Sequence, residues 1–256
     1  YSGISCDMEA IASLCRPYNI KIIEDASHAI GGTYKDLPVG SCYYSDCTVF
    51  SFHPVKIITS GEGGMVTTND LTIAKQCRLL SSHGITKTAS DMNKNTAEPW
   101  FYEQHELGFN YRMSDIHAAL GLSQLKKIKV FINKRAQLAR NYIDAFAHLP
   151  IDILHEPKDV QSAWHLFVIR LSDKAKVNRK TLFKELKKAN IGCQVHYIPV
   201  HTQPYYQDLG FAWGDFPSSE KFYDSCLSIP IFPELKTQEQ ERIISKICAL
   251  VDGTQN

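Results

Sequence analysis

The stretch FSFHPVKIITSGEGG, residues 50 to 64, places a single lysine between an apolar, aromatic run and a cluster of glycines. Most lysines lie on solvated surfaces, where they contribute to solubility. Lys56 instead follows the run CTVFSF, which is typical of a short strand buried on both faces. The turn that carries this lysine therefore leaves the carboxyl end of a buried strand, where ligands bind in open α/β sheets.

Composition narrows the class of protein. The chain has 256 residues and is 44% hydrophobic, enough to bury the core of one large or two moderate domains. Its 28 basic residues nearly balance its 27 acidic ones, which argues against binding to nucleic acid or to an anionic membrane. No apolar run reaches the ~20 residues of a membrane-spanning helix, and the first residues lack the pattern of a signal peptide. We predict a cytoplasmic protein with a local site for any anionic ligand.

The eight cysteines do not form metal-binding pairs. No CxxC motif occurs, and the closest two, Cys42 and Cys47, have four residues between them. A zinc site requires paired and repeated spacing near histidines. We therefore predict reduced, mostly buried thiols, no metal and no disulfide scaffold.

The first half of the chain alternates helical and strand-like segments, which is typical of a sheet covered by helices. The polar stretch 86–106 lacks periodicity and is predicted to be a long, functional loop. Strands are predicted at 19–25, 47–52 and 63–70. Helices are predicted at 8–16 with Asp7 as cap, at 71–84 ending at Gly84, and at about 114–149 with Ser114 as cap and a break at Gly121.

The second half has the pattern of a smaller mixed unit. The boundary is predicted within residues 149 to 159, so that the two domains are 1–149 and 150–256. Strands are predicted at 164–171 and 193–200, and helices at 179–190, 218–227 and 237–251.

Two strand ends carry residues suited to cofactor chemistry. An acidic pair at a strand end is most often a solvated loop start, but Asp25 is followed by His28 and two glycines. A carboxylate there can hold a protonated ring nitrogen, and an imidazole can stack on or orient the ring. The amine of Lys56 becomes a nucleophile when burial or a nearby cation lowers its pKa.

The segment around Lys56 also suits a phosphate. Ser51 offers a hydroxyl, and the glycines at 61, 63 and 64 allow the backbone to approach a ligand closely. The segment is not a GxxxxGK[ST] loop, so a nucleoside triphosphatase is not supported. Together Asp25, Lys56 and a phosphate-binding serine fit pyridoxal phosphate chemistry.

Five ordered motifs carry a specific resemblance: EDASHAIGG, FSFHPVK, EGGMVTTND, GFNYRMSDIHAALGLSQL and QVHYIPVH. In order and spacing the whole chain resembles the DegT/DnrJ/StrS family of sugar aminotransferases. The resemblance implies a fold type I, pyridoxal phosphate-dependent α/β enzyme. Its large domain would have a mainly parallel sheet covered by helices, and its smaller C-terminal domain would be α+β.

The resemblance also implies roles for individual residues. Lys56 would hold pyridoxal phosphate covalently and later move a proton, and Asp25 would bind the pyridine nitrogen. His28 would pack near the cofactor ring, and Ser51 would hold the phosphate. Asn110 would reach the phosphate of the neighbouring subunit's cofactor, which implies a homodimer with shared active sites.

On the substrate side, the resemblance places His196, Tyr197 and His201 along the pocket without assigning each a role. His53 and Arg112 are candidate phosphate or sugar-nucleotide contacts, although a packing role suits His53 and Tyr197 equally well. The implied reaction moves an amino group from glutamate to C4 of a UDP-linked 4-keto-6-deoxy sugar, as in pseudaminic acid biosynthesis.

One departure from the family opens alternatives. Relatives have roughly a further third of chain before this start, with a phosphate-binding SGTxAL segment, so the N-terminal part of the large domain is expected to be absent. The chain could then be a non-catalytic fragment or partner of such an enzyme. A transaminase for a different nucleotide keto sugar and a pyridoxamine-dependent sugar dehydratase are further alternatives. Lys56 argues against the dehydratase, in which histidine replaces the lysine.

Overall fold

A computed structural model describes residues 1–93 and 98–253 of the chain. The chain divides into two compact units, Tyr1 with Ser5–Ile128 and Ser2–Ile4 with the chain from Lys129 onward. Residues 94–97 of the predicted long loop and residues 254–256 of the predicted second domain lie outside the described residues.

Helices and strands alternate through the first part of the first unit, as the sequence predicts. Asp7 accepts a hydrogen bond from Ala10 N at 3.1 Å and so caps the first helix. The elements are α1 (Met8–Cys15), β1 (Ile23–Asp25), β2 (Thr33–Tyr34), β3 (Leu37–Pro38), β4 (Cys47–Ser51), β5 (Gly64–Thr67), α2 (Leu71–Ser81), β6 (Ile85–Thr86), β7 (Glu103–Gln104) and α3 (Asp115–Leu125).

The main sheet of this unit has the strand order β1-β4-β5. β1 and β4 are parallel with Asp25 opposite Val49, whereas β4 and β5 are antiparallel with Ser51 opposite Gly64. In the described residues the sheet is thus mixed, where the sequence predicts a mainly parallel one. The reason is the connection between β4 and β5, which contains no helix and therefore joins neighbours that run in opposite directions.

Two smaller strand pairs were not predicted. β2 and β3 form a hairpin whose turn residues Lys35 and Asp36 have φ angles of 48° and 62°. Positive φ at both central residues is the geometry of a tight hairpin turn. β6 pairs with β7, so both ends of the predicted loop 86–106 carry short strand segments.

The long helix predicted from Ser114 is two helices. Ser114 caps α3 as predicted, by accepting from His117 N at 3.4 Å. Gly121 lies inside α3, and the helix ends at Leu125, where Lys127 N turns back to Gln124 O at 2.9 Å. α3 has no buried side chain, and Ile116 is 82% exposed. The apolar side chains of this helix, Ile116 among them, are therefore not part of a core in this chain.

The second unit is built on an antiparallel sheet in the order β11-β10-β8. Phe167 of its middle strand lies opposite Ile229 on one side, and Leu171 lies opposite Ile151 on the other. The elements from residue 128 onward are α4 (Ile128–Phe146), β8 (Ile151–Ile153), β9 (Val160–Gln161), β10 (Phe167–Leu171), α5 (Arg179–Lys188), α6 (Pro204–Gln207), α7 (Pro217–Ser225), β11 (Cys226–Ile229) and α8 (Thr237–Asp252).

The unit boundary differs from the predicted domain boundary because of α4. This helix buries Leu138, Tyr142 and Phe146 in the core that also contains Phe167 and Ile247, all in the second unit. The compact units therefore divide at residue 128, before α4, rather than after it at residue 149. As a division of the whole protein into domains, 1–149 and 150–256 stays a prediction.

Two elements near the end of the chain depart from the prediction. The strand predicted at 193–200 is reduced to a bridge between Gln194 and Ser228, because the segment reaches Pro199, which has no N–H to donate to a ladder. The helix predicted through Leu227 ends at Ser225, and Cys226–Ile229 forms the buried strand β11. All four residues of β11 are buried, so the strand lacks the alternation of polar and apolar residues that would mark it in the sequence.

Half of the thiols are buried, among them Cys47, Cys193 and Cys226, and burial raises the pKa of each of these three. All eight cysteines are free. Within residues 1–93 and 98–253, no helix is both long enough and apolar enough to cross a membrane.

The core of the second unit predicts a stability difference between two tyrosine variants. Tyr142 is fully buried, and its hydroxyl donates to Pro230 O at 2.9 Å. Tyr142→Phe removes the donor to this partly buried carbonyl and should lower the free energy of unfolding by about 1 kcal/mol in denaturant titrations. Tyr18→Phe, at a side chain 78% exposed, should change it by less than about 0.5 kcal/mol. Equal stability of the two variants would contradict the role of this hydrogen bond.

Candidate active site

The candidate site lies where β1 and β4 end. Because these strands are parallel, their carboxyl ends emerge at the same edge of the sheet. Asp25 is the last residue of β1, Ser51 is the last residue of β4, and Ala26 N donates to Val49 O at 2.9 Å between them. The loops that carry the predicted cofactor residues therefore start side by side.

Asp25 is a solvent-accessible carboxylate held in its ionised form. Its Oδ1 accepts from Ser27 N at 3.0 Å and from Ser27 Oγ at 2.6 Å. These two hydrogen bonds, with smaller contributions from the charges of His28 and Lys56, hold the pKa of Asp25 below its ordinary value. Both bonds fall on Oδ1, so Oδ2 is available to a cationic N–H group.

Lys56 lies in a tight turn, in which its backbone N donates to His53 O at 2.9 Å. The next two residues, Ile57 and Ile58, are buried and fix the turn against the core of the first unit. The lysine side chain is half-buried, and this burial lowers its pKa, while the charge of Asp25 opposes the shift. The result is an amine that loses its proton more readily than an ordinary lysine.

The loop after Lys56 is closed by backbone hydrogen bonds. Phe52 O accepts from Ser60 N at 3.0 Å, and Phe52 N donates to Gly63 O at 2.8 Å. Gly63 has a φ of +153°, and a Cβ added there would lie 2.5 Å from Met113 Cε and 2.6 Å from Ser60 Oγ. The positive φ disfavours any other residue at this position, in line with the clustering of glycines in the sequence.

His28 and His53 lie near the same edge but in different surroundings. The ring of half-buried His28 is 6.1 Å from the ring of Tyr1, and its charge acts on Asp25. His53 is exposed, and its Nδ1 accepts from Val55 N at 3.4 Å. Ser51 Oγ accepts from His53 N at 3.4 Å, which points the hydroxyl toward the start of the Lys56 turn.

Asn110 and Arg112 lie on a separate segment of the first unit. Asn110 forms a bridge with Ser82, and Arg112 Nη1 donates to Ser82 Oγ at 3.2 Å. Both residues are exposed. In the described ranges, the hydrogen bonds of this segment are made to Ser82 and its neighbours and not to Asp25 or Lys56.

The remaining predicted residues belong to the second unit. His196 Nδ1 lies 2.8 Å from Ser228 Oγ, and Tyr197 is 57% exposed. His201 is only 8% exposed, and its Nε2 donates to Glu220 Oε1 at 2.8 Å. Their placement relative to Asp25 and Lys56 stays a prediction.

Sequence reasoning missed two residues that the structure brings into these groups. Ser27 donates to the Asp25 carboxylate from two residues further along the chain. This is the spacing of an Asx turn, so the sequence did contain a signal for this contact. Glu220 holds His201 from 19 residues away, and no local pattern marks it.

Comparison with known proteins points to one family. The sequence profile of the DegT/DnrJ/EryC1/StrS aminotransferase family matches residues 1–248. The spore coat polysaccharide biosynthesis protein SpsC of Bacillus subtilis is 38% identical over 259 residues, which cover 99% of this chain and 65% of SpsC. The chain thus spans about two thirds of the length of this relative.

Solved structures agree with the sequence match. PseC of Helicobacter pylori, an aminotransferase involved in the biosynthesis of pseudoaminic acid, superposes with a TM-score of 0.88 at 32% identity, over 99% of this chain and 65% of PseC. The PLP form of Spr1654 from Streptococcus pneumoniae has a TM-score of 0.88 at 29% identity, over 100% of this chain and 68% of Spr1654.

The mutual influence of Asp25 and Lys56 can be tested without any cofactor. Since the charge of Asp25 raises the pKa of Lys56, Asp25→Asn should lower it further and leave more of the amine neutral at a fixed pH. Acetic anhydride should then acetylate Lys56 faster, relative to exposed Lys174, as quantified by peptide mass spectrometry. Asp36→Asn, in the β2–β3 turn, should leave the ratio unchanged. An unchanged or slower rate in Asp25→Asn would contradict the coupling.

Proposed function

Because the chain belongs to the DegT/DnrJ/EryC1/StrS aminotransferase family, we propose that it carries the catalytic lysine of a pyridoxal phosphate-dependent sugar aminotransferase. Pyridoxal phosphate is the cofactor of this family, and Spr1654 has a PLP form. The observation that carries the proposal is the pairing of an ionised carboxylate with a half-buried lysine of lowered pKa at one sheet edge.

The residues at this edge fit the chemistry of pyridoxal phosphate. Asp25 presents an ionised carboxylate whose Oδ2 would bind the protonated pyridine nitrogen. Lys56 presents a primary amine that is deprotonated more readily than usual, as covalent attachment of an aldehyde requires. Ser51 and the backbone near Gly63 would bind the phosphate, because glycine allows the backbone to approach closely.

Each protein group has a defined task in the proposed transfer. When bound, the cofactor supplies an electron sink for the carbon that carries the amino group. Lys56 Nζ would take the proton from that carbon and deliver it to the cofactor carbon that receives the amino group. Asp25 would keep its charge throughout, since its pKa is lowered mainly by the hydrogen bonds from Ser27 and only to a smaller extent by the charge of Lys56.

For the substrates, we propose glutamate as donor and a UDP-linked 4-keto-6-deoxy sugar as acceptor. The support is the pseudoaminic acid role of PseC and the polysaccharide role of SpsC. The proposed substrate side consists of His196 and Tyr197 of the second unit with His53 and Arg112 of the first, and His201 belongs to the same segment but is buried. Activity with a panel of UDP- and dTDP-linked keto sugars would identify the acceptor and distinguish a different nucleotide sugar.

For the assembly, we propose a cytoplasmic homodimer in which Asn110 serves the partner's site. The support is the exposure of apolar side chains around this residue. Leu107, Phe109, Tyr111 and Ile116 are all exposed in the single chain. Exposed apolar side chains close together in the sequence are typical of a subunit interface, since monomers rarely expose contiguous apolar patches.

Spectroscopy of the purified chain tests the lysine. With pyridoxal phosphate it should show the visible absorbance of a covalent lysine adduct, and glutamate should remove that absorbance. Lys56→Ala should abolish the adduct and slow the reaction with glutamate at least ~10²-fold, the usual contribution of a positioned acid–base group. Lys35→Ala, in the β2–β3 turn, should behave as wild type. An adduct that persists in Lys56→Ala would refute the assignment, and a wild-type chain without any adduct would favour the non-catalytic partner.

Mixed dimers test the shared site. Lys56→Ala and Asn110→Ala chains should each be inactive, yet a mixed dimer would contain one site with both residues intact. A statistical 1:1 mixture should therefore regain about a quarter of wild-type activity, because half of its dimers are mixed. No recovery after exchange of subunits would place Asn110 in the site of its own chain.

A further inference from the structure

Glu220 is a buried carboxylate that accepts hydrogen bonds from three groups. It lies on α7 and is 5% exposed. Its Oε1 accepts from His201 Nε2 at 2.8 Å, from Gly214 N at 2.7 Å and from Phe216 N at 3.4 Å. A carboxylate withdrawn from water requires such partners, because an unpaired buried charge is strongly destabilising.

These hydrogen bonds keep Glu220 ionised despite its burial. Burial opposes the charge of the carboxylate, but the hydrogen bonds from Gly214 and His201 outweigh it and hold the pKa of Glu220 below its ordinary value. The imidazole of His201 is also 4.8 Å from the ring of Phe216, so it contacts both the carboxylate and the loop before α7. Glu220 thus binds two separate parts of the second unit, the segment 196–201 and the loop before α7.

The first of these parts is the segment 196–201, which is fixed at both ends. At one end His196 Nδ1 lies 2.8 Å from Ser228 Oγ on β11, and at the other end His201 binds Glu220. Between them Pro199 is buried, whereas the other three side chains face outward. Tyr197, Ile198 and Val200 are each more than half exposed.

The second part is the loop from residue 208 to residue 216. It displays the aromatic side chains of Phe211, Trp213 and Phe216, all exposed. Gly214 N and Phe216 N, which donate to Glu220, are the backbone groups that fix its end. The position of Trp213 therefore reports whether the Glu220 contacts are intact.

We propose that Glu220 is a positioning residue that acts through His201 to hold Tyr197–Val200 in place for the acceptor sugar. On this proposal His201 is an anchor and does not contact the substrate, because its Nε2 is directed to Glu220 in a nearly closed environment. The inference rests on the proposed function for the identity of the ligand, and on the second unit alone for the anchor.

The anchor is tested first, without cofactor or substrate. The chain has three tryptophans, so labelling with 5-fluorotryptophan gives three ¹⁹F signals, and Trp213→Phe assigns one of them. Glu220→Ala and His201→Ala should each shift or broaden the Trp213 signal, and Glu220→Gln, which keeps an acceptor oxygen, should do so less. Glu185→Gln, at a helix glutamate paired with Lys188, should leave it unchanged. An unchanged Trp213 signal in Glu220→Ala would overturn the anchor.

The positioning role is tested with the keto sugar that serves as acceptor. Glu220→Ala and His201→Ala should each raise the KM for this sugar at least about tenfold, and Glu220→Gln should raise it less. The rate of the reaction with glutamate should change less than about twofold, since the amino-group donor does not depend on this segment. The double variant should have the KM of either single variant, because both act through one contact.

Two results would overturn the positioning role. If His201 contacted the sugar directly, the KM increases of His201→Ala and Glu220→Ala would multiply in the double variant. If the anchor were merely structural, the glutamate reaction and the KM would deteriorate together. A wild-type chain that fails to react with glutamate refutes the proposed function, and with it the ligand of this proposal, whereas the ¹⁹F signal still decides whether Glu220 and His201 form the anchor.

Discussion

The parallel pairing of β1 with β4 is the constraint on which the first unit depends. It sets Asp25 opposite Val49, so that the strand ends and the loops that follow them share one edge. A shift of one residue in this register would turn Asp25 to the other face of the sheet, since side chains alternate along a strand. The buried Phe50 and Phe52 and the fully buried Thr48 fix the register from within.

At this edge the pKa values of Lys56 and Asp25 are shifted by different causes. Burial draws the lysine toward its neutral form, and the nearby carboxylate partly opposes this. The carboxylate itself is stabilised mainly by Ser27, a neutral partner two residues away. Asp25 therefore does not need the ammonium form of Lys56 in order to stay charged. The carboxylate can thus stay ionised near a lysine whose pKa is lowered, although nearby opposite charges normally hold each other ionised.

How far the sequence predicts this molecule depends on the range of the interactions involved. The caps at Asp7 and Ser114 and the strand around Phe50 follow from neighbours within a few residues, and they were predicted correctly. The meeting of Asp25 and Lys56 at one edge follows from two apolar runs in the sequence with functional residues at their ends, although β1 is mostly exposed in this chain.

The differences between the predicted and the observed elements involve distant contacts. Strand β11 exists because Cys226–Ile229 pairs with β10, and α4 belongs to the second compact unit because Leu138 and Phe146 pack there. Likewise, the partner of His201 lies 19 residues further along the chain, on a helix whose sequence pattern gives no sign of a buried carboxylate. The resemblance supplied a family and candidate residues, but it could not reveal that this imidazole is buried.

Helix α3 has only 11 residues and buries no side chain, yet its His117 ring lies beside Gly61 of the loop that follows Lys56. Helices this short are marginal in water without packing, so a partner surface that buried Ile116 would stabilise the helix and, through His117, restrict the loop that follows Lys56.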